Sequence, residues 1–457
     1  MNQLPLPLRR KLFWVGLLYF AEGFPFGIIY DLLPVYFRSF GVSLKDIGLL
    51  SLIGLPWSLK ILWSPLVDRY GQRKHWTTAA LFGMGLLLAL VPLFPAGPPT
   101  RALWMVLLGF TILSATQDVA IDAYTIGLMD KGEEGAANSL RVSTYRAALI
   151  VGGGGLVALA DLLPWSVMLL TGSAIFFALA IAAWRSPRLS IQGQPWSAFP
   201  REAAQWLARS WVPRIAAGAA LVLLLLGRSS EGFARWLAGP SAIPIGSFAL
   251  IVLLVIFYPA LRMWRTRWSG IAVFAFVLIY KLGDSSMGPM VKPFWKDRGL
   301  TNAEIGLIST TLGVVATVVG SMVGGIFCAR RGIFHGLWLL GAAQALSNLG
   351  YAAVAQFELP RGAIYGASVL ESFTGGMGTA AFLSFLMNLC DKESAAVQYA
   401  LLSALFGFTR SVAGAASGWA TEQMGYASFF LLTFFLAFPA YLLLPWVRGW
   451  IRERGAA

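Results

Sequence analysis

Long apolar stretches separated by short polar turns run along almost the whole chain. A helix needs roughly 20 mostly apolar residues to cross the hydrocarbon core of a bilayer. Stretches of that kind cover residues 12–37, 47–67, 76–94, 102–129, 136–162 and 165–184. A polar, proline-containing segment follows at 185–209, and then two further apolar runs at 212–226 and 243–261. Six more stretches occupy 270–294, 303–328, 336–354, 363–389, 395–421 and 426–447. The pattern predicts six, two and six spans, about fourteen in all.

Composition agrees with this reading. Charged residues make up 12% of the 457 residues and hydrophobic ones 57%, whereas soluble domains carry roughly 25% charge. The chain is long enough for about three soluble domains, but it lacks the polar surface to cover them. The net charge of +14 does not point to nucleic acid, because the cations are scattered between apolar runs instead of forming one basic face. They fall mainly in alternate loops. Arg9, Arg10, Lys11, Arg69, Arg73, Lys74, Arg185, Arg188 and Arg262 lie on one side, and the shorter set of Arg38, Lys45, Arg101, Lys292, Lys296 and Arg361 on the other. By the positive-inside rule both termini are expected in the cytoplasm. The first apolar run is far longer than the ~7–15 apolar residues of a signal peptide and is read as a retained helix. Cys328 and Cys390, with His75 and His335, are too few and too dispersed for a metal cluster. No cofactor and no enzymatic activity are expected.

Two six-span halves suggest parallel repeats of the major facilitator type. Between the second and third spans, SPLVDRYGQRKHW runs from Ser64 to Trp76. It resembles the loop signature of that superfamily, with Asp68, Arg69, Gly71, Arg73 and Lys74 in order. GGIFCARRG, from Gly324 to Gly332, is a weaker echo in the second half. An acid beside several cations on a tight glycine turn can act as a cytoplasmic ionic latch, although an ordinary positive-inside loop has the same composition. The expected fold is therefore an all-α polytopic membrane protein, a major facilitator fold of two six-helix bundles with about two extra transmembrane segments between them. Its divisions are 1–185, a linker with additional hydrophobic segments at 186–268, and 269–457.

Ionisable side chains near the bilayer centre cost about 2.5–3.5 kcal/mol each on insertion scales, so each one that occurs there is a candidate functional residue. They are Glu22, Asp31, Lys60, Asp118, Asp122, Arg146, Lys281, Asp284, Glu371 and Arg410. They are expected to line an aqueous path or to pair. Asp118 and Asp122, four apart in SATQDVAIDAY, share one helical face, and two like charges in a poorly hydrated setting favour binding a proton. Asp118, Asp122 and Glu22 are thus the proton-coupling candidates, with permanent pairing to Lys60 or Arg146 as the structural alternative. Lys281 and Asp284 can pair along their own helix. Glu22 and Asp31 flank Pro25, which marks the first span as a candidate discontinuous helix. The glycine clusters at 152–155 and 375–378, and the GxxxG spacings Gly23/Gly27, Gly320/Gly324 and Gly414/Gly418, are read as close helix packing. Trp57, Trp63 and Tyr124 are candidates to stack on a sugar or other ring.

Several segments together resemble the AmpG-like muropeptide permeases of the major facilitator superfamily. They are KILWSPLVDRYG from Lys60, TQDVAIDAY from Thr116, YRAALIVGGG from Tyr145, YKLGDS from Tyr280, SNLGY from Ser347, ESFTGGMGTAAFLSFLMNLC from Glu371 and QYALLSAL from Gln398. The segment from Thr116 is also similar to that of acetyl-coenzyme A transporters and some siderophore importers. The resemblance implies proton-driven import of N-acetylglucosaminyl-anhydro-N-acetylmuramyl compounds across the bacterial inner membrane for cell-wall recycling. It places the membrane-embedded polar positions of the family on Lys60, Gln117, Asp118, Asp122, Arg146, Lys281, Asp284, Glu371 and Arg410; with Asp31 these are the substrate-binding and coupling candidates. Lys60, Arg146 and Arg410 are the cations expected to attract a substrate carboxylate. Glu22 and Asp31 depart from the uncharged first span expected of the family. The expected partners are a small-molecule substrate, protons and the lipid bilayer, with no nucleic acid, and the expected state is a monomer. A siderophore or another anionic conjugate stays open as substrate, as does a non-transporting assembly factor on the same fold.

Overall fold

The computed structural model describes residues 6–60, 63–130, 133–189, 268–390 and 395–451. Among the described residues every regular element is helical. In chain order these are α1 (Leu8–Ser39), α2 (44–59), α3 (Arg73–Leu93), α4 (Arg101–Leu128), α5 (Ala136–Leu159) and α6 (Trp165–Trp184). The second series is α7 (268–297), α8 (Asn302–Arg331), α9 (333–356), α10 (Arg361–Leu389), α11 (395–424) and α12 (426–435). The helices run on through α11 into α12 except at Gly425, whose φ of 77° breaks the ladder. The apolar runs at 212–226 and 243–261 lie outside the described residues.

Among the described residues, eight stretches are long and apolar enough to cross a membrane. Two of the other expected spans, 47–67 and 270–294, are interrupted, for local reasons. In α2 the helix passes through a 3-10 stretch, Leu50–Gly54, just before Pro56. In α7 it breaks at Tyr280 and Lys281 and then carries Pro289 and Pro293. The first span differs from the expected discontinuous helix. It stays helical through Pro25 and instead widens into a π-helical stretch at Ile28–Leu32, which absorbs the disturbed hydrogen-bond ladder without breaking it. Helix starts are capped by short polar side chains. The Ser43 hydroxyl accepts from the Asp46 amide and Thr100 from the Leu103 amide, while Thr301 and Glu304 form a reciprocal capping box.

The helices gather into two compact units. The first holds the described parts of Met1–Pro25, Lys60–Ala147 and Leu169–Pro244. Its core packs Phe24 edge-on against Phe176, ring centroids 5.0 Å apart, and Phe110 meets Phe176 edge-on as well, at 5.5 Å. In its 64–76 loop, Gly71 takes a φ of 66°. Lys74 is buried and donates to the carbonyls of Trp184 and Ser186 at 3.1 and 3.2 Å. It therefore closes the C-terminal end of α6, where orphan carbonyls favour a cation. Arg69 is exposed, and the Asp68 side chain lies outside what the structure describes.

The second unit holds the described parts of Phe26–Leu59, Ala148–Met168 and Ile245–Ala457. Tyr280 stacks on Phe382 at 5.3 Å, and Phe276 meets Phe385 edge-on. Small residues let the backbones approach closely. A Cβ on Gly48 would sit 2.8 Å from the Gly418 amide nitrogen, and one on Gly324 would sit 2.7 Å from the Met377 carbonyl. These are the close contacts expected of the glycine clusters. One end of this unit is tied by polar contacts between distant segments. Arg38 grips Asp297 through two hydrogen bonds of 2.6 Å, Tyr426 donates to the same carboxylate, and Asp161 accepts from the amides of Asn302 and Ala303.

Candidate functional site

In the first unit, α4 presents Asp118 and Asp122 on one face, as their spacing predicts. Lys60 forms an ion pair with Asp118. Glu22, on α1 and only 8% exposed, lies near Asp118 and Asp122, and its Oε2 is buried without a hydrogen-bond partner among the described residues. Carboxylates gathered in a poorly hydrated place repel one another, and binding a proton relieves that repulsion. Asp122 accepts 2.7 Å from the Tyr19 hydroxyl and pairs with Arg141 at 3.1 Å, and the Arg141 guanidinium lies 4.6 Å from the centre of the Tyr19 ring. Three carboxyls, Glu22, Asp118 and Asp122, thus face two cations, Lys60 and Arg141. A single proton makes the group neutral, which suits a low-dielectric setting.

Beside it, Gln117 is fully buried, and neither its amide nitrogen nor its oxygen has a hydrogen-bond partner among the described residues. The Trp63 indole donates to the Thr116 hydroxyl at 3.1 Å, which holds the start of the 64–69 helix against α4. Arg146 lies half-buried on α5, five positions beyond Arg141.

The second unit holds the rest of the expected set. Lys281, 2% exposed, donates to the Gln344 amide oxygen at 2.7 Å and reaches Asp284 at 3.4 Å, the pairing along one helix that three-residue spacing allows. Glu371, on α10, is in hydrogen-bond contact with Ser372 at 3.4 Å. Asp31 pairs with Lys292 of α7. Arg410, on α11, is exposed and lies over the rings of Tyr30 and Phe26, at 4.3 and 6.0 Å.

Sequence reasoning missed Tyr19 and Arg141 and counted Lys292 among loop charges. Arg141 lies inside the same apolar stretch 136–162 as Arg146, and its charge there was an equal signal. Nothing in the sequence pointed to Tyr19, whose partner Asp122 lies 103 residues away.

The acetyl-coenzyme A transporter 1 family profile matches residues 11–95. The chain is 31% identical over 436 residues to the anhydromuropeptide permease of Escherichia coli (strain K12), covering 93% of this chain and 77% of that protein. It is 28% identical over 450 residues to putative transporter AmpG 4 of Rickettsia conorii, with 96% of each chain covered. Among solved structures, it is similar to a POT family transporter in complex with 5-aminolevulinic acid, with a TM-score of 0.75 at 12% identity and 97% of both chains covered. It is also similar to a bacterial homolog of the human lysosomal transporter Spinster, with a TM-score of 0.67 at 13% identity, covering 98% of this chain and 99% of the other. The structural likenesses give the polytopic major facilitator fold. Together with the charged groups buried along its spans, the sequence relatives make this chain an integral inner-membrane transporter that belongs to the AmpG-like permease family.

Proposed function

We propose that this transporter imports N-acetylglucosaminyl-anhydro-N-acetylmuramic acid and its peptides across the inner membrane for cell-wall recycling, by proton-coupled alternating access. The observation that supports the coupling is the buried Glu22 carboxyl, one of its oxygens without a hydrogen-bond partner among the described residues, near the Lys60–Asp118 ion pair. With one proton bound, each cation of the cluster has one negative charge to balance. When the proton leaves, two carboxylates compete for Lys60 and a net negative charge stays in a poorly hydrated place, which favours rearrangement. The name of the Escherichia coli relative supports the muropeptide substrate. The loop-charge bias supports cytoplasmic termini, with 1–185 and 269–457 as the halves that alternate, 186–268 as their connection, and Asp68, Arg69, Gly71, Arg73 and Lys74 as a cytoplasmic latch.

The test is uptake of labelled anhydro-muropeptide into vesicles with an imposed pH gradient. Wild type accumulates label with the gradient. Glu22→Gln, which fixes a neutral side chain near Asp118, equilibrates label without accumulating it. Wild-type uptake indifferent to the gradient refutes the coupling.

A further inference from the structure

The second unit contains a cation that the coupling scheme does not use. Arg410 lies on a span, is exposed, and has no carboxylate or hydrogen-bond acceptor among the described residues. What holds it is aromatic. Its guanidinium stacks 4.3 Å over Tyr30 and 6.0 Å from Phe26, and Trp57 extends the same wall, 4.3 Å from Phe26 and 5.8 Å from Tyr30 by ring centroids. All three rings are only half-buried. The wall is held in place from behind. Gly54 leaves room for the Tyr30 hydroxyl, since a Cβ there would collide with it and would also come within 3.3 Å of the Ser411 hydroxyl.

Stacking uses the face of a guanidinium and leaves its in-plane N–H donors pointing outward. Those donors match carboxylate and phosphate oxygens in pairs. An arginine in a membrane span without a protein anion needs water or a ligand anion. The neighbouring rings offer apolar faces to a sugar ring. We propose that Arg410, with Tyr30, Phe26 and Trp57, forms a substrate subsite that reads a saccharide bearing a carboxylate or phosphate, the anion held by the guanidinium and the ring lying on the aromatic wall. This deepens the proposed function, on which it rests, by assigning the anion of the substrate to a particular group.

The experiment is a thermal-shift titration of the full chain in detergent with four probes. N-acetylmuramic acid carries ring and carboxylate, and N-acetylglucosamine 1-phosphate carries ring and phosphate. N-acetylglucosamine has the ring alone, and lactate the carboxylate alone. Wild type should bind at least one sugar anion about tenfold or more tightly than either single-feature probe, and the stronger of the two identifies the anion. Arg410→Gln should abolish that preference without moving the ligand-free midpoint. Arg410→Lys, which keeps the charge but not the planar fork, should weaken it, and Trp57→Ala should weaken sugar anions but not lactate. Failure of wild type to prefer a sugar anion overturns the subsite, as does a preference unchanged in Arg410→Gln and Arg410→Lys. If vesicle uptake of muropeptide fails while the sugar-anion preference and its dependence on Arg410 persist, the muropeptide reading falls and the subsite stands.

Discussion

Lys60 holds Asp118 in an ion pair across 58 residues of sequence, while Glu22 lies near the same aspartate. The lysine is therefore the counter-charge of Asp118 at the proposed coupling site. Removing it strands a carboxylate next to another acid. Both side chains retain some access to solvent, 33% for Lys60 and 15% for Asp118, so Lys60→Met should cost about 1–3 kcal/mol, below the range for a fully buried pair. Thermal unfolding in detergent measures this. Lys60→Met with Asp118→Asn should recover most of the lost stability and none of the gradient-driven uptake. A double variant less stable than the single one would show that the pair is not what Lys60 holds.

Asp122 tests the charge balance. Asp122→Asn takes one negative charge from a group of three carboxyls and two cations, leaving it neutral with no proton bound. Uptake should continue down the substrate gradient but lose its response to an imposed pH gradient. Tyr19→Phe, which removes the hydroxyl donated to Asp122 but keeps the ring under Arg141, is the control. It should cost about 1 kcal/mol of stability and leave the gradient response in place. Vesicle uptake with and without the gradient separates the two, and a gradient-driven Asp122→Asn variant would refute the balance argument.

A second pH effect lies outside the spans. Lys11 donates to Asp130 at 2.5 Å and to Glu133 at 2.7 Å, and the Glu133 carboxyl also accepts from the Asp130 amide. The Lys11 hydrogen bond, with that amide, holds the Glu133 carboxyl below its ordinary range. A group lowered in the folded state contributes stability above its unfolded value, about 4.3 for glutamate, and that contribution is lost as pH falls through the folded value. The thermal midpoint of wild type should therefore fall on acidification below about pH 4, and Lys11→Met should flatten that part of the curve. An identical slope in both proteins would count against the tie.

What the sequence made legible follows from the range of each interaction. Asp118 with Asp122, and Lys281 with Asp284, are separated by one helical turn, so spacing alone placed them correctly. The apolar periods placed the helices, and scarcity of charge singled out Glu22, Asp31, Glu371 and Arg410. Pairings across the fold were not legible. Asp31 finds Lys292 from 261 positions away, and no local pattern says which of several cations an intramembrane acid will meet. Pro25 suggested a break, yet a widened turn three residues later cost less than a broken ladder. The aromatic wall under Arg410 was equally hidden, since Phe26, Tyr30 and Trp57 look like ordinary span residues until the fold sets a cation over them.

The tie between Arg38 and Asp297 gives the remaining prediction. Arg38 ends α1, Asp297 ends α7 and Tyr426 begins α12, so one carboxylate joins segments from both ends of the chain. A paired, planar Arg–carboxylate contact is the strong form of a surface ion pair, but with both side chains about a quarter exposed, at 22% and 27%, its loss should cost only about 1 kcal/mol. The larger consequence is local. Asp297→Asn releases the guanidinium and weakens the Tyr426 contact, so the ends of α1, α7 and α12 should open more often. Hydrogen–deuterium exchange should quicken in peptides covering 36–46 and 294–302, while peptides from 101–128 in the first unit keep their wild-type rates. Asp297→Glu, which keeps the charge on a longer arm, should restore part of the protection. Exchange unchanged at 36–46 in Asp297→Asn would mean that the apolar packing of these helix ends, and not the ion pair, holds them closed.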